Sequence, residues 1–449
     1  MNARWIFALT ALAALTALAA CAPSRSELRA PVDDAIAAQL GVRERPDLSA
    51  LLAKPLDEAA AVRVALANSP RLAAALDALG IAGGELAEAL GIGPLDVEAM
   101  FRFGAGGHEY EIDAIQSVLG LVTAPRRRAA AHADLAAARA RAAAAAIALA
   151  ARAEIAFHDL IAAQQEVELR RTAFDAADAA ATVRERMRAA GNTTELAVAR
   201  DRDAREQARI DLSRAAAAVE ARREALNALL GLSGDRTTWS ASGALADVPA
   251  EPPKLDDLEA AAVAASFDLA AGRARTEAAA NRLGAARVSA VLPELGLGAS
   301  AIELDGKFEV GPAVRIGLPL FDQQSGLRAR AAAELDRASD EATAVAVELR
   351  ARARAVRVAA LEAYNEARHI KDVVLPLRQQ IVDETLLHYN AMDADPFELI
   401  AARRALADAG HQYLEALRRY ANATSEIAAL RRGAAIAKRE GDDADADQP

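Results

Sequence analysis

The chain has 449 residues and a formal net charge of −11, so it is long enough for two or three ordinary domains. Its acidity argues against a nucleic-acid partner. Aromatic residues are 4% of the chain and Ala dominates the apolar fraction, which suits closely spaced helices better than a thick globular core.

Residues 1–20 read as an export signal, with Arg4 in a basic start, an apolar run from Trp5 to Ala19 and small residues before Cys21. Cys21 is the single cysteine, which rules out a disulfide within one chain. Residues 22–54 hold Pro31 and Pro46 and are expected to form an extended arm with a short helical turn. A helical pattern then covers 55–90, with Leu56, Val62, Leu66, Leu72, Leu76 and Leu79 on one side. After Gly91 to Pro94 the period changes from 3.6 to 2. Leu95 to Phe103 and Glu109 to Ala114 alternate apolar and charged residues around a Gly-rich turn, giving two antiparallel strands within about 94–119.

Helix is expected to resume at Pro125, a good first-turn residue, and to continue to about 190, roughly 100 Å of helix. Leu135, Ala142, Leu149, Ala156 and Ala163 recur every seven residues along it, as in a coiled coil. Gly191 suits a C-cap, and a return helix covers 194–230. Residues 233–257, with Pro249, Pro252 and Pro253, form a linker.

The pattern then repeats. A helix runs from about 258 to 290, strands fall within 293–319, and a long helix covers 323–390. Leu335, Ala342, Leu349, Val356, Ala363, Ile370 and Leu377 hold the seven-residue spacing there. Pro376 should bend or divide that helix. The return helix 395–438 opens with Asp395 as N-cap, Pro396 at the first position and Glu398 placed to reach back to the cap. The acidic tail 441–449 is expected to be disordered. The divisions are therefore 1–20 signal, 21–54 arm, 55–232 first repeat, 233–257 linker, 258–440 second repeat and 441–449 tail.

Each strand has about the ten residues that cross an outer-membrane barrel at a tilt. Four strands cannot close, and open edges in hydrocarbon are not tolerated, so several copies would have to share one barrel. Two copies give eight strands and a filled interior; three give twelve and a lumen. Glu98, Arg102, Glu109, Glu111, Asp113, Glu309 and Arg315 would face that lumen. The plainer alternative is a small soluble hairpin layer on a helical protein.

Leu18-Ala19-Ala20-Cys21 resembles the bacterial lipobox, which implies a covalent lipid on Cys21. The segments Ala65-Leu66-Ala67-Asn68-Ser69-Pro70-Arg71-Leu72, Ala225 to Leu232 and Gly317-Leu318-Pro319-Leu320-Phe321-Asp322, in this order and with the duplication, resemble the TolC-type outer-membrane efflux protein family. The resemblance implies a mostly α fold with a small β part. Three copies would share a 12-stranded β-barrel in the outer membrane of a Gram-negative bacterium, continued by a periplasmic α-barrel. It also implies an exit duct that docks a periplasmic adaptor and an inner-membrane pump, with no catalysis and no cofactor beyond the lipid.

Family hairpin tips read a basic or aromatic residue, two others, Gly and a small polar residue. Arg188, Gly191, Asn192 and Thr193 fit; the second tip has Tyr389 and then Met392 where Gly is usual, followed by Asp393 and Asp395. Glu398 matches acidic residues that form a ring at the family's periplasmic entrance, or is a cap residue only. His388 and Met392 are a weak candidate pair for Cu(I), against a plain solvent-facing reading. No nucleophile elbow, phosphate loop or zinc spacing occurs. The reading from another functional class is a lipid-tethered periplasmic coiled-coil scaffold, or adaptor-like protein, that does not span the membrane.

Overall fold

The computed structural model describes residues 23–42, 47–91, 94–104, 107–291, 294–304, 307–317 and 324–436. The expected signal, Cys21, residues 318–322 of the strand-to-helix motif and the acidic tail lie outside them. In chain order come α1 (Arg25–Leu40), α2 (Leu48–Leu52), α3 (Glu58–Asn68), α4 (Pro70–Leu90), β1 (Leu95–Gly104), β2 (Gly107–Ser117), α5 (Val118–Ala189) and α6 (Glu195–Leu230). The later elements are α7 (Leu258–Ala265), α8 (Phe267–Val291), β3 (Glu294–Leu304), β4 (Lys307–Gly317), α9 (Ser325–His369), a π-turn (Ile370–Val374), α10 (Leu375–Asn390) and α11 (Pro396–Arg432).

Several boundaries differ from those expected. Residues 25–40 form a regular helix rather than an extended arm, because Ser24 and Glu27 make a reciprocal capping box: the Ser24 amide donates to Glu27 Oε2 at 2.8 Å and the Glu27 amide to Ser24 Oγ at 3.3 Å. Helix α1 then buries Leu28, Val32 and Ile36. Residues 55–90 hold two helices, since Pro70 drives Ser69 to an extended ψ of 121°. Helix α5 starts ahead of Pro125, at Val118, where Ser117 Oγ accepts from the Gly120 amide at 3.2 Å. Helix α11 stops at Arg432 because Gly433 turns left-handed at φ 103°.

The chain makes two compact units. One gathers the described residues up to Ala35, Ala74–Ala143 and Phe267–Val347; the other Ile36–Ala73, Ala144–Ser266 and the residues from Glu348 onward.

The first unit carries a four-stranded antiparallel sheet in the order β1-β2-β3-β4. The two hairpins join through β2 and β3, with Asp113 opposite Ser300. Close helix approach in this unit relies on small residues: Gly272 lies against Ala342, and Leu283, Ala286 and Ala331 form a compact cluster. In the second unit Leu258, Ala262, Leu349, Ala353, Val356, Ala360, Ala423, Ile427 and Leu430 pack together, so α7, α9 and α11 share one core. Ion pairs stitch α5 to α11 there, with Arg418 Nη1 3.0 Å from Asp159 Oδ1 and His411 Nδ1 2.7 Å from Glu166 Oε2.

The motif Asn68-Ser69-Pro70 has a mechanical role. Asn68 Nδ2 donates to the carbonyls of Leu230 and Gly231, both at 2.8 Å, and so closes the C-terminus of α6. Gly231 has φ 67°, and a Cβ on it would sit 2.6 Å from the Asn68 carbonyl oxygen. Trp239 Nε1 donates to Asn227 Oδ1 at 2.8 Å, fixing the chain that leaves the helix.

Candidate functional site

The sheet has two chemically distinct faces. Strand alternation and register put Leu95, Val97, Phe101 and Phe103 of β1 on the same side as Tyr110 and Ile112 of β2, Leu297 of β3, and Phe308, Val310, Val314 and Ile316 of β4. Val310 is 75% exposed, Phe103 71% and Val97 63%, so a broad surface, apolar apart from Glu303 between Tyr110 and Phe308 near the hairpin turns, lies uncovered among the described residues. Its aromatic residues gather toward the hairpin turns, where Phe101 and Phe103 meet Tyr110 edge to face at 5.7 and 6.4 Å.

The opposite face carries Asp96, Glu98, Arg102, Glu109, Glu111, Asp113, Lys307, Glu309 and Arg315. It includes all seven charged residues expected to share a side. Arg102 Nη1 lies 3.1 Å from Glu109, and Arg315 Nη2 lies 3.0 Å from Glu98. The latter pair joins β1 to β4, the two edge strands, so the sheet curls with its charged side concave. Glycine permits that curl: a Cβ on Gly298 would overlap the Ala114 carbonyl oxygen, and one on Gly296 would sit 2.5 Å from Ile115 Cγ2. Among the described residues no strand of the chain pairs with the outer edges of β1 and β4.

The second unit presents the two hairpin tips. At the first, Gly191 has φ 80° and the Asn192 amide reaches back to the Met187 carbonyl at 2.8 Å. At the second, Met392 takes the same left-handed conformation at φ 61°, and the Asp393 amide reaches the His388 carbonyl at 2.9 Å. The two tips thus share one backbone turn, although only the first has the glycine that makes it free of strain. Arg188 Nε bonds Glu195 Oε2 at 3.2 Å across the first tip, and Thr194 caps α6 through the Ala197 amide. Asp395 caps α11 through the Phe397 amide at 2.9 Å, as expected. Tyr389 is 40% exposed and its carbonyl accepts from the Met392 amide.

An open cleft beside the second tip is lined by Glu384, His388, Asp393 and Glu398, with Leu377 and Ile381 at its apolar end. His388 Nδ1 already bonds Asp393 Oδ2 at 2.9 Å, and Met392 is 96% exposed. Among the described residues no group of three or more His, Cys, Asp or Glu is disposed to hold a metal ion.

Two residues missed in the sequence bring the tips together. Arg184 Nε pairs with Asp201 Oδ2 at 2.7 Å, its Nη1 reaches Thr193 Oγ1 at 3.4 Å, and its guanidinium stacks on the Phe397 ring. Arg184 lies one helical turn before Arg188, and Phe397 directly follows the Asp-Pro cap. Neither position shows, from sequence, that the two hairpins meet. No helix among the described residues is long and apolar enough to cross a membrane.

No family model matches the chain. A curated relative, the cobalt-zinc-cadmium resistance protein CzcC of Cupriavidus metallidurans, is 27% identical over 271 residues, covering 59% of this chain and 64% of the relative. The chain thus spans just under two thirds of that protein's length. Among solved structures, the outer membrane protein VceC of Vibrio cholerae aligns with a TM-score of 0.68 at 18% identity, over 84% of this chain and 96% of that one. The Campylobacter jejuni CmeC outer membrane channel aligns with a TM-score of 0.63 at 15% identity, over 86% and 88%. The chain is built on the fold of the TolC-type outer-membrane efflux proteins, the family that its repeat motifs resemble.

Proposed function

We propose that this protein is the outer-membrane exit duct of a tripartite efflux system, passively conducting what an inner-membrane pump and periplasmic adaptor deliver. The two-faced sheet carries the reading. A curled sheet with an exposed apolar side, a charged concave side and two open edges is unstable in water and equally unstable alone in lipid. Three copies joined edge to edge would satisfy every strand, place the apolar sides in hydrocarbon and enclose a wet twelve-stranded lumen. The aromatic cluster near the hairpin turns would sit at the outer interface.

The rest of the reading follows from position. Cys21, lipidated, would tether the mature N-terminus to the outer membrane, leaving the helices in the periplasm. The tips at Arg188, Gly191, Asn192, Thr193 and Tyr389, Met392, Asp393, Asp395 would dock the adaptor. Glu398, repeated three times around the axis, would ring the entrance. Among the described side chains, six carboxylates (Asp96, Glu98, Glu109, Glu111, Asp113 and Glu309) outnumber three basic groups on the concave face, which favours cationic cargo. The likeness to a metal-resistance protein agrees with such cargo.

Membrane fractionation of the Cys21→Ser variant tests the proposal. A barrel protein stays in the outer membrane as a trimer without its lipid; release as a soluble protein would instead favour the tethered scaffold. Replacing Gly191 with Trp should abolish export while trimers persist, and unaltered export would remove the docking role of the tip.

A further inference from the structure

Pro376 has no N–H, so the carbonyl of Asp372 loses its helical donor, and the proline ring needs space beside it. The helix answers by widening: the Leu375 amide donates to the Ile370 carbonyl, five residues back rather than four. The widened turn rotates everything after it. Leu349, Val356, Ala363 and Ile370 are buried on their seven-residue stripe, but Leu377, the next member, is 54% exposed and Val382 is buried instead.

Packing changes at the same place. Before the turn, Tyr364, Ala367 and Ile370 join Ala416, Leu417 and Val248 in one core. Beyond it, α10 and α11 are held by Val382, Leu399 and Ala402, with Leu386 and Leu406 at the margin. Val373, Leu377, Ile381 and Leu387 remain exposed. Thinly packed segments of this kind lie at the low-stability end of a structure.

One carboxylate spans the junction. Asp247, on the segment between the two repeats, bonds both Lys371 of the π-turn and Tyr413 of α11. The same segment is pinned on either side: the Leu245 amide donates to Gln165 Oε1 at 3.3 Å, and Tyr364 OH donates to the Ala250 carbonyl at 3.1 Å. We propose that the π-turn at Ile370–Val374 is a hinge built into the second hairpin, and that Asp247 is the buckle that holds it. With the buckle closed, α10 keeps its angle to α9. With Asp247 released, the segment from Leu375 into the first turns of α11 pivots about the widened turn. The hinge is a property of the chain alone and stands whether or not the tips meet a partner.

Hydrogen exchange on the full-length protein in detergent tests this. Asp247→Ala should speed exchange of peptides within 376–405 by about three- to tenfold, while peptides within 142–162 keep their rates. Pro376→Ala, which lets a regular helix form, should restore slow exchange in the Asp247→Ala background. Lys371→Met removes one partner without touching the strap and should act as Asp247→Ala does, which covers failure of the latter to fold. Wild-type rates in 376–405 for Lys371→Met, acceleration spread equally over all helices, or no rescue by Pro376→Ala would each overturn the hinge.

Discussion

At single positions the informative residues are those whose backbone or Cβ leaves no choice. Gly231 is left-handed and packed against Asn68 and Pro70, so Gly231→Ala combines φ strain with overlap. It should lower stability by about 2–5 kcal/mol, read in a denaturant or thermal melt. Met392 is the reverse case. Its left-handed φ of 61° costs about 1–2 kcal/mol that glycine would avoid, offset partly by the extra freedom glycine gives the unfolded chain. Met392→Gly should therefore stabilise the second tip by up to about 1 kcal/mol, visible as slower exchange of amides 387–395. Gly191→Ala, with φ 80° and open space around it, should destabilise the first tip by a similar amount through backbone strain alone.

Between elements, the ion pairs from α5 to α11 have their own pH signature. Glu166 holds His411 and raises its pKa, with burial opposing and Arg170 also opposing; Glu415 on the same helix adds to the rise. Burial pushes the Glu166 carboxyl up, but the hydrogen bonds and charges of His411 and Arg170 together outweigh it and leave its pKa lowered. A raised histidine contributes stability below its unfolded value near 6.5 and loses it as pH climbs through the higher folded value. A lowered carboxylate contributes above its unfolded value and loses that as pH falls through the lower folded one. The pair is thus strongest between those two folded values. In urea melts from pH 6 to 9, wild type should lose more stability than His411→Gln; equal slopes would show that the pair contributes nothing to the coupling of the helices.

For the molecule as a whole, the proposed three-copy barrel rests on the sheet's uncovered apolar face and on its outer edges, which no strand among the described residues pairs. Val314→Arg puts a charge on the convex apolar face, where it should cost about 2–4 kcal/mol near the middle of a bilayer and reduce the yield of assembled trimers on gels. Arg315→Gln, one residue away on the concave side, gives up only the exposed pair with Glu98 and should leave trimers intact. Equal behaviour of the two variants would mean that the convex face does not meet lipid.

Much of this protein is written in local sequence. Period-2 alternation in Leu95 to Phe103 and 307–317, seven-residue stripes such as Leu135 to Ala156, and the caps at Gly191 and Asp395 specify strands, long helices and tips from neighbouring residues alone, because side-chain period and capping are short-range physics. The break at Ser69 before Pro70, the helix start at Ser117 and the capping box at Ser24 are local as well, each set by one or two neighbouring residues inside a longer helical or mixed pattern. Contacts between distant segments were not legible. The junction of β2 with β3, the stacking of Arg184 on Phe397, the buckle from Asp247 to Lys371 and Tyr413, and the exposure of Leu377 beyond a widened turn all depend on where separate elements meet. No local period encodes that meeting, so the tertiary structure alone decided it.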